Sequence, residues 1–329
     1  MIDPKLEHAH VEANGISVHT VSMGAGPLVV FCHGFPESWY SWRHQLPAVA
    51  EAGFRAVALD MRGYGSSSAP TAVEAYSLSS LVGDVVGVVN ALGADTAVVV
   101  GHDWGAPVAW YSALMRPDLF RAVAALSVPY IAPMTVPNGQ AINDLQRAAA
   151  GDRQYYRLFF QEPGVAEAVL EADVDRSVRG FLYTISGDIV RDGIHRSGWD
   201  GHFPADQGFA EQLVVPEELP PWLTEEDVAF YVAELSASGF RGGLNVYRNV
   251  NALPAMLGPF AGSAVRQPAL YLWGEHDVIA GNTAQTIMGL PEAVPGLRGA
   301  HMFADAGHWL QQERPTEVNT ALVDFLGSL

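Results

Sequence analysis

Short, continuously apolar runs alternate along this chain with longer stretches of helical spacing, and that alternation limits the folds open to it. Leu28–Cys32, Ala56–Leu59, Ala97–Val100, Val123–Ser127 and Ala269–Trp273 are apolar at nearly every position. A strand with one wet face alternates apolar and polar residues, so these runs predict strands covered on both faces. Between them lie helical patterns that carry stop signals. Ser41–Ala52 ends at Gly53, Leu78–Leu92 at Gly93, and Ala106–Arg116 before Pro117. A last helix is expected over Glu317–Phe325, capped by Thr316 and stopped by Gly327. Gly24-Ala25-Gly26 reads as a hairpin turn. The pattern predicts an α/β fold built on a mostly parallel sheet with helices on both faces.

The rhythm changes after Pro129. Helical patterns then dominate, over Asn143–Ala150, Asp152–Phe160, Val165–Glu171, Val174–Ile185 and Glu225–Ser238. The last begins with Thr224 and Asp227 spaced as a capping box. Strand pattern returns at Ala269. We therefore expect a core in two parts, residues 1–131 and 255–329, interrupted by a helical cap over 132–254. A hydrophobic content of 49% with 16% charged residues excludes a disordered chain. Lys+Arg total 18 against 36 Asp+Glu, a net charge of −18 that argues against nucleic acid or an anionic membrane as partner. The single cysteine, Cys32, excludes an intrachain disulfide and a cysteine-based zinc site, and is expected as a small buried hydrophobe. Met1–His10 has no apolar signal-peptide core and no run suits a membrane span, so the expected compartment is the cytoplasm.

Gly101-His102-Asp103-Trp104-Gly105 follows one predicted strand and opens a predicted helix. Strand, sharp turn and helix form the setting of a nucleophile elbow, in which flanking glycines let one side chain stand above the sheet. The usual central residue is Ser; here it is Asp103. A carboxylate is ionised at neutral pH and attacks without a general base. Attack on an sp³ carbon leaves an alkyl ester whose carbonyl water can later attack, whereas Ser would leave an ether. Asp103 thus points away from esterase chemistry and toward epoxide opening or halide displacement.

The second step needs a base. His308 follows the predicted strand His301–Asp305, and Asp277 follows Ala269–Trp273. Both fall just beyond strand C-terminal ends, where open α/β sheets build their sites, in the order nucleophile, acid, histidine. Asp277 is expected to orient the His308 imidazole. His33-Gly34-Phe35-Pro36 follows Leu28–Cys32, so the amides of Phe35 and Trp104 are the expected oxyanion hole. Pro36 also permits a cis bond before it. His301 and His308 lack the context of a metal site, and Arg62–Ser67 lacks the glycines of a dinucleotide fingerprint. No metal and no cofactor are expected.

With these motifs the chain resembles the α/β-hydrolase-fold epoxide hydrolases of the soluble type. The likeness runs through HGFPESW (His33–Trp39), RGYGSS (Arg62–Ser67), GHDWG (Gly101–Gly105) and GHWLQQERPTEV (Gly307–Val318). HGFP and GHDWG alone do not separate this family from haloalkane dehalogenases, which share the Asp nucleophile. The insertion does: Tyr156–Gly164 resembles the family's first cap-tyrosine motif and Gly242–Asn249 the second. The resemblance implies an α/β-hydrolase fold, a small-molecule epoxide as substrate, and Tyr156 and Tyr247 as the pair that binds the epoxide oxygen. It implies a substrate pocket bounded by His33, Pro36, Phe160, Val246 and Trp309, with Phe159, Trp199 and Trp222 also shaping it. Val246 stands where many relatives have Trp. A homodimer is left open, as are two other functions: a dehalogenase using Asp103, and a ligand receptor on an inactive scaffold.

Overall fold

Among the described residues ten strands appear in chain order: β1 (Glu7–Ala13), β2 (Ile16–Met23), β3 (Leu28–Cys32), β4 (Arg55–Leu59), β5 (Ala97–His102), β6 (Phe120–Leu126), β7 (Arg153–Tyr155), β8 (His202–Pro204), β9 (Ala269–Gly274) and β10 (Leu297–Phe303). The computed structural model describes residues 5–133, 141–195 and 198–329. Eight strands make one sheet in the order β1-β2-β4-β3-β5-β6-β9-β10. β1–β2 and β2–β4 pair antiparallel, and the remaining neighbours are parallel. The all-apolar runs are the central strands: every residue of β3 and β5 is buried, whereas the edge strands β1 and β10 are largely exposed. Cys32 is fully buried in β3, as expected.

Several elements differ from expectation, each for a local reason. The pattern over Ser41–Ala52 splits into a 3₁₀ turn at Trp39–Trp42 and a helix at Gln45–Glu51. Pro47 has no N–H for the Arg43 carbonyl and its ring crowds that group, so one helix cannot run through. The last helix starts at Pro315, with Arg314 rather than Thr316 at its cap, because proline at the first helical position loses no hydrogen bond. Gly24–Gly26 is not a hairpin turn. β2 pairs with β4, and a Cβ on Gly24 or Gly26 would lie 2.5 Å from Phe54 O or 2.3 Å from Gly53 O, so the chain needs glycine to pass the turn before β4. The hairpin is β1–β2, turned by Asn14 and Gly15 at φ 50° and 78°. The expected helix at Asp152–Phe160 begins instead as β7, paired with β8, where Arg153 holds Asp200 at 2.8 and 2.9 Å.

The described residues between β6 and β9 otherwise form helices joined by loops, and they meet the core at loops that follow sheet strands, such as Gly63–Tyr64 after β4 and Asp305–Gly307 after β10. Helix Glu225–Ser238 is capped by Thr224 and Asp227, as its spacing predicts. Asp227 accepts from Tyr40 OH at 2.9 Å and Tyr231 OH donates to Gln312 at 3.1 Å, which tie this segment to the core. Helix Arg241–Arg248 approaches closest: a Cβ on Gly242 would sit 2.5 Å from Gly63 O, and one on Gly243 2.2 Å from Tyr64 OH. Gly242→Ala is therefore expected to push this helix off the core and cost about 1–3 kcal/mol. Thermal unfolding reads the loss of stability. Turnover should fall with it, because the same helix carries Tyr247. Among the described residues, no helix is long and apolar enough to cross a membrane.

Candidate active site

Asp103 sits between the end of β5 and helix Gly105–Met115 with φ +48°, a left-handed conformation that non-glycine residues rarely adopt. The turn is possible because its flanks have no side chains. A Cβ on Gly101 would lie 2.0 Å from Gly105 O, and one on Gly105 2.0 Å from Cys32 O. The carboxylate is largely shielded from solvent, and its Oδ1 accepts from the Phe35 amide at 2.9 Å. Gly34 is equally constrained, since a Cβ there would meet Asp103 Cβ at 2.3 Å. The Phe35–Pro36 bond is cis. Of the two expected oxyanion donors, Phe35 already holds the carboxylate. Trp104 begins the helix, its ring 5.1 Å from that of Tyr247.

His308 Nε2 lies 3.6 Å from Asp103 Oδ2, and its Nδ1 lies 3.0 Å from Asp277 Oδ1 and 3.1 Å from Ser127 Oγ. Asp277 also accepts from the Ile279 amide at 2.9 Å. Burial opposes charge on His308, yet two facing carboxylates, Asp277 and then Asp103, outweigh it and raise its pKa to about 9. Burial likewise pushes Asp277 up, but His308 leaves it below the ordinary carboxylate range.

Two glutamates brace this arrangement, and the sequence reading did not single them out. Glu37 is fully buried. Its carboxylate accepts from the Gly34 amide at 3.0 Å, faces His102 Nδ1 at 2.7 Å and accepts from Gln311 at 3.0 Å. Burial alone would raise its pKa, but His102 pulls it down to about 2. The other nitrogen of His102 meets the His308 carbonyl at 2.8 Å, so one buried pair links the Phe35 loop, β5 and the histidine loop. Glu313 accepts from the amides of Gly307, Trp309 and Gly187 at 2.8, 3.0 and 3.0 Å, fixing the His308 loop to the helical segment. Glu37 stands directly after Phe35-Pro36 in the loop that leaves β3, which was a signal for it; Glu313 stands among Gln311, Gln312 and Arg314 and had none.

From the helical segment, Tyr156 and Tyr247 come together with ring centroids 6.1 Å apart. Tyr247 packs edge-on against Trp104 and Phe35, the residues that flank the nucleophile. Burial, then chiefly the Asp103 charge, raises the Tyr247 phenol well above its ordinary pKa. Tyr156 is raised by burial and pulled back by Arg157, whose Nε donates to its hydroxyl at 3.0 Å. Tyr155 stacks on His202 at 4.7 Å and meets the Tyr156 ring edge-on at 5.0 Å.

A cavity of about 340 Å³ reaches Asp103 and Trp104. Its wall is mostly apolar, including Pro107, Trp110, Val128, Leu145 and Leu253, with Gln146, Arg157 and Thr283 as polar points. None of the five expected pocket residues lines it. His33 bonds the Gly34 carbonyl and the Met61 amide, and with Val246 borders a separate, much smaller cavity. Phe160 packs on Tyr156 and Tyr247, and Trp309 lies beneath His102 and His308. Pro36 bends the loop behind Phe35. Phe160 and Trp309 thus pack on the rings of this cluster, and the open space beside Trp104 runs toward residues 142–146 and 250–257.

Residues 27–315 match the model of a family described as the alpha/beta hydrolase fold. Epoxide hydrolase B of Mycobacterium tuberculosis is 39% identical over 98% of this chain and 98% of its own length. This chain is an epoxide hydrolase of the α/β-hydrolase fold. Epoxide hydrolase A of the same organism is 40% identical, with 97% of each chain covered. A solved structure of an epoxide hydrolase from an endophytic Streptomyces superposes with a TM-score of 0.93 at 43% identity, covering 99% of this chain and 96% of that one.

Proposed function

We propose that this epoxide hydrolase opens its substrate through an ester on Asp103 and releases a vicinal diol. The observation that carries the reading is one cluster: a carboxylate in a strained turn, with an amide on one oxygen, a histidine by the other and two buried phenols near enough to feel its charge. Oδ1 is already held by Phe35 N–H, so Oδ2 attacks the ring carbon. The C–O bond of the epoxide breaks as the Oδ2–C bond forms, and the ring oxygen takes a proton from a lid tyrosine. Residues 132–254 act in this reading as the lid, and residues 1–131 and 255–329 as the core beneath it.

The charge on His308 makes the two steps sequential. With Asp103 ionised, the imidazole lies between two carboxylates and holds its proton up to about pH 9. Alkylation turns Asp103 into a neutral ester, and one of the two charges that raised the histidine disappears. His308 then gives its proton to the tyrosinate through solvent and becomes the base. It takes a proton from water as that water attacks the Asp103 carbonyl carbon, while Phe35 N–H holds the oxyanion on Oδ1. Collapse frees the diol and restores the carboxylate, the charged histidine and the phenol, so protons balance.

The apolar cavity wall favours an epoxide with an apolar substituent. A single turnover in ¹⁸O-water tests the ester directly. The label is expected in the Asp103 carboxylate and not in the first diol formed, since the diol keeps Oδ2. Label in that first diol would mean direct attack by water and would overturn this route. A dehalogenase needs N–H donors around a leaving halide. The groups over Asp103 include two phenols, and halide release without diol formation would be the result that favours the other enzyme.

A further inference from the structure

Arg157 is half-buried and lines the cavity that reaches Asp103. The groups that act most on its charge are phenols, those of Tyr156, Tyr155 and Tyr247, rather than carboxylates. A cation held in an apolar wall beside phenols needs a physical account, because burial of an unpaired charge is costly. Its Nε–H donates to the Tyr156 hydroxyl oxygen at 3.0 Å, and the guanidinium carbon lies 5.7 Å from the Tyr156 ring centre.

We propose that Arg157 is a positioning residue that makes Tyr156, and not Tyr247, the proton donor in epoxide opening. This rests on the ester reading above. The hydrogen bond from Nε occupies one lone pair of the Tyr156 oxygen, so the phenolic proton must be offered to something other than Arg157. When that proton leaves for the ring oxygen, the tyrosinate is already held by a charged donor, and the bond between them strengthens. Tyr247 is placed differently. The strongest influence on it after burial is Asp103, followed by Tyr156, and Arg157 acts on it less. While the ring opens, Asp103 still carries part of its charge, and that charge acts first on Tyr247 and opposes loss of its proton, so this phenol stays protonated and serves as a hydrogen-bond donor to the ring oxygen. Tyr155 and Asp103 act the other way on Tyr156 and raise its pKa, Tyr247 packs against its ring, and Arg157 is the group that lowers the pKa.

The test uses Arg157→Gln and the conservative Arg157→Lys in the full chain, with an aryl epoxide and rapid-mixing kinetics. Arg157→Gln is expected to slow ester formation about 10- to 100-fold and leave ester hydrolysis unchanged, with Arg157→Lys recovering part of the loss. With Tyr156→Phe already present, Arg157→Gln should add almost nothing, whereas on Tyr247→Phe it should cost its full factor. Equal cost on both backgrounds, or equal slowing of both steps, would overturn the assignment. A second readout needs no epoxide. A fluorinated tyrosine, more acidic than the natural one, is placed at position 156 or at position 247 and titrated by ¹⁹F NMR. The phenol at 156 should titrate lower, and Arg157→Gln should raise it by roughly one pH unit or more while moving the one at 247 less. No difference between positions sinks the inference even if diol forms. Failure of the wild-type protein to form an ester sinks the ester reading instead, and leaves the titration to be judged alone.

Discussion

Asp103→Asn is expected to reduce diol formation by at least ~10⁴-fold while leaving the fold intact. An amide carries no negative charge to attack an sp³ carbon, and the Phe35 amide can still donate to its oxygen. Asn accepts the left-handed conformation that Asp103 adopts at φ +48°, so backbone strain does not rise. Circular dichroism should therefore match the wild type, and turnover should vanish. The same variant changes His308. With one of its two carboxylates neutral, the imidazole pKa should fall from about 9, which NMR of the ring protons can follow. The sign carries over to stability. A histidine raised above its unfolded value stabilises the fold fully below about pH 6.5, and that contribution is lost as pH rises through about 9. In Asp103→Asn the contribution should be smaller and its loss complete at lower pH. Residual diol formation near the wild-type rate would show that another group attacks.

His308→Gln should act on the second step alone. Glutamine can still offer an N–H toward Asp277, but it cannot take a proton from water. Opening of the epoxide should continue and ester hydrolysis should fall about 10²- to 10⁴-fold. The ester then accumulates, and mass spectrometry of the Asp103 peptide should show the mass of one added epoxide. An unmodified peptide after incubation with a reactive epoxide would remove Asp103 from the nucleophile's role. The variant also separates pH effects. In the wild type, hydrolysis of the ester should rise with pH along a limb below pH 9, because alkylation lowers the histidine, and that limb should be absent in His308→Gln.

The elements legible in the sequence were those whose cause is local. β3 runs over Leu28–Cys32 as expected because five consecutive apolar residues suit only a strand covered on both faces. Asp103 was recognisable because Gly101 and Gly105 stand beside it, and their missing side chains are what the turn requires. The β1–β2 hairpin also had a local cause, Asn14-Gly15 between alternating runs, and that signal went unread. The strand at Arg153–Tyr155 had none. It exists because β8, almost fifty positions later, offers a partner and Asp200 offers Arg153 an ion pair.

The order Asp103, Asp277, His308 was thus legible in the chain, since each follows a strand end and strand ends are marked by short-range pattern. Which side chains surround the open space was not. The cavity wall draws on residues from 78 to 283, and Phe160, Val246 and Trp309 turn out to back the reacting groups instead of bounding the void. The roles of Glu37, Glu313 and Arg157 depend on amides, rings and hydroxyls brought near them by packing. Local spacing specifies how the backbone bends at each place. Only the docking of the helical segment on the sheet sets distances between groups far apart in the chain, and those distances govern protons and charges at the site.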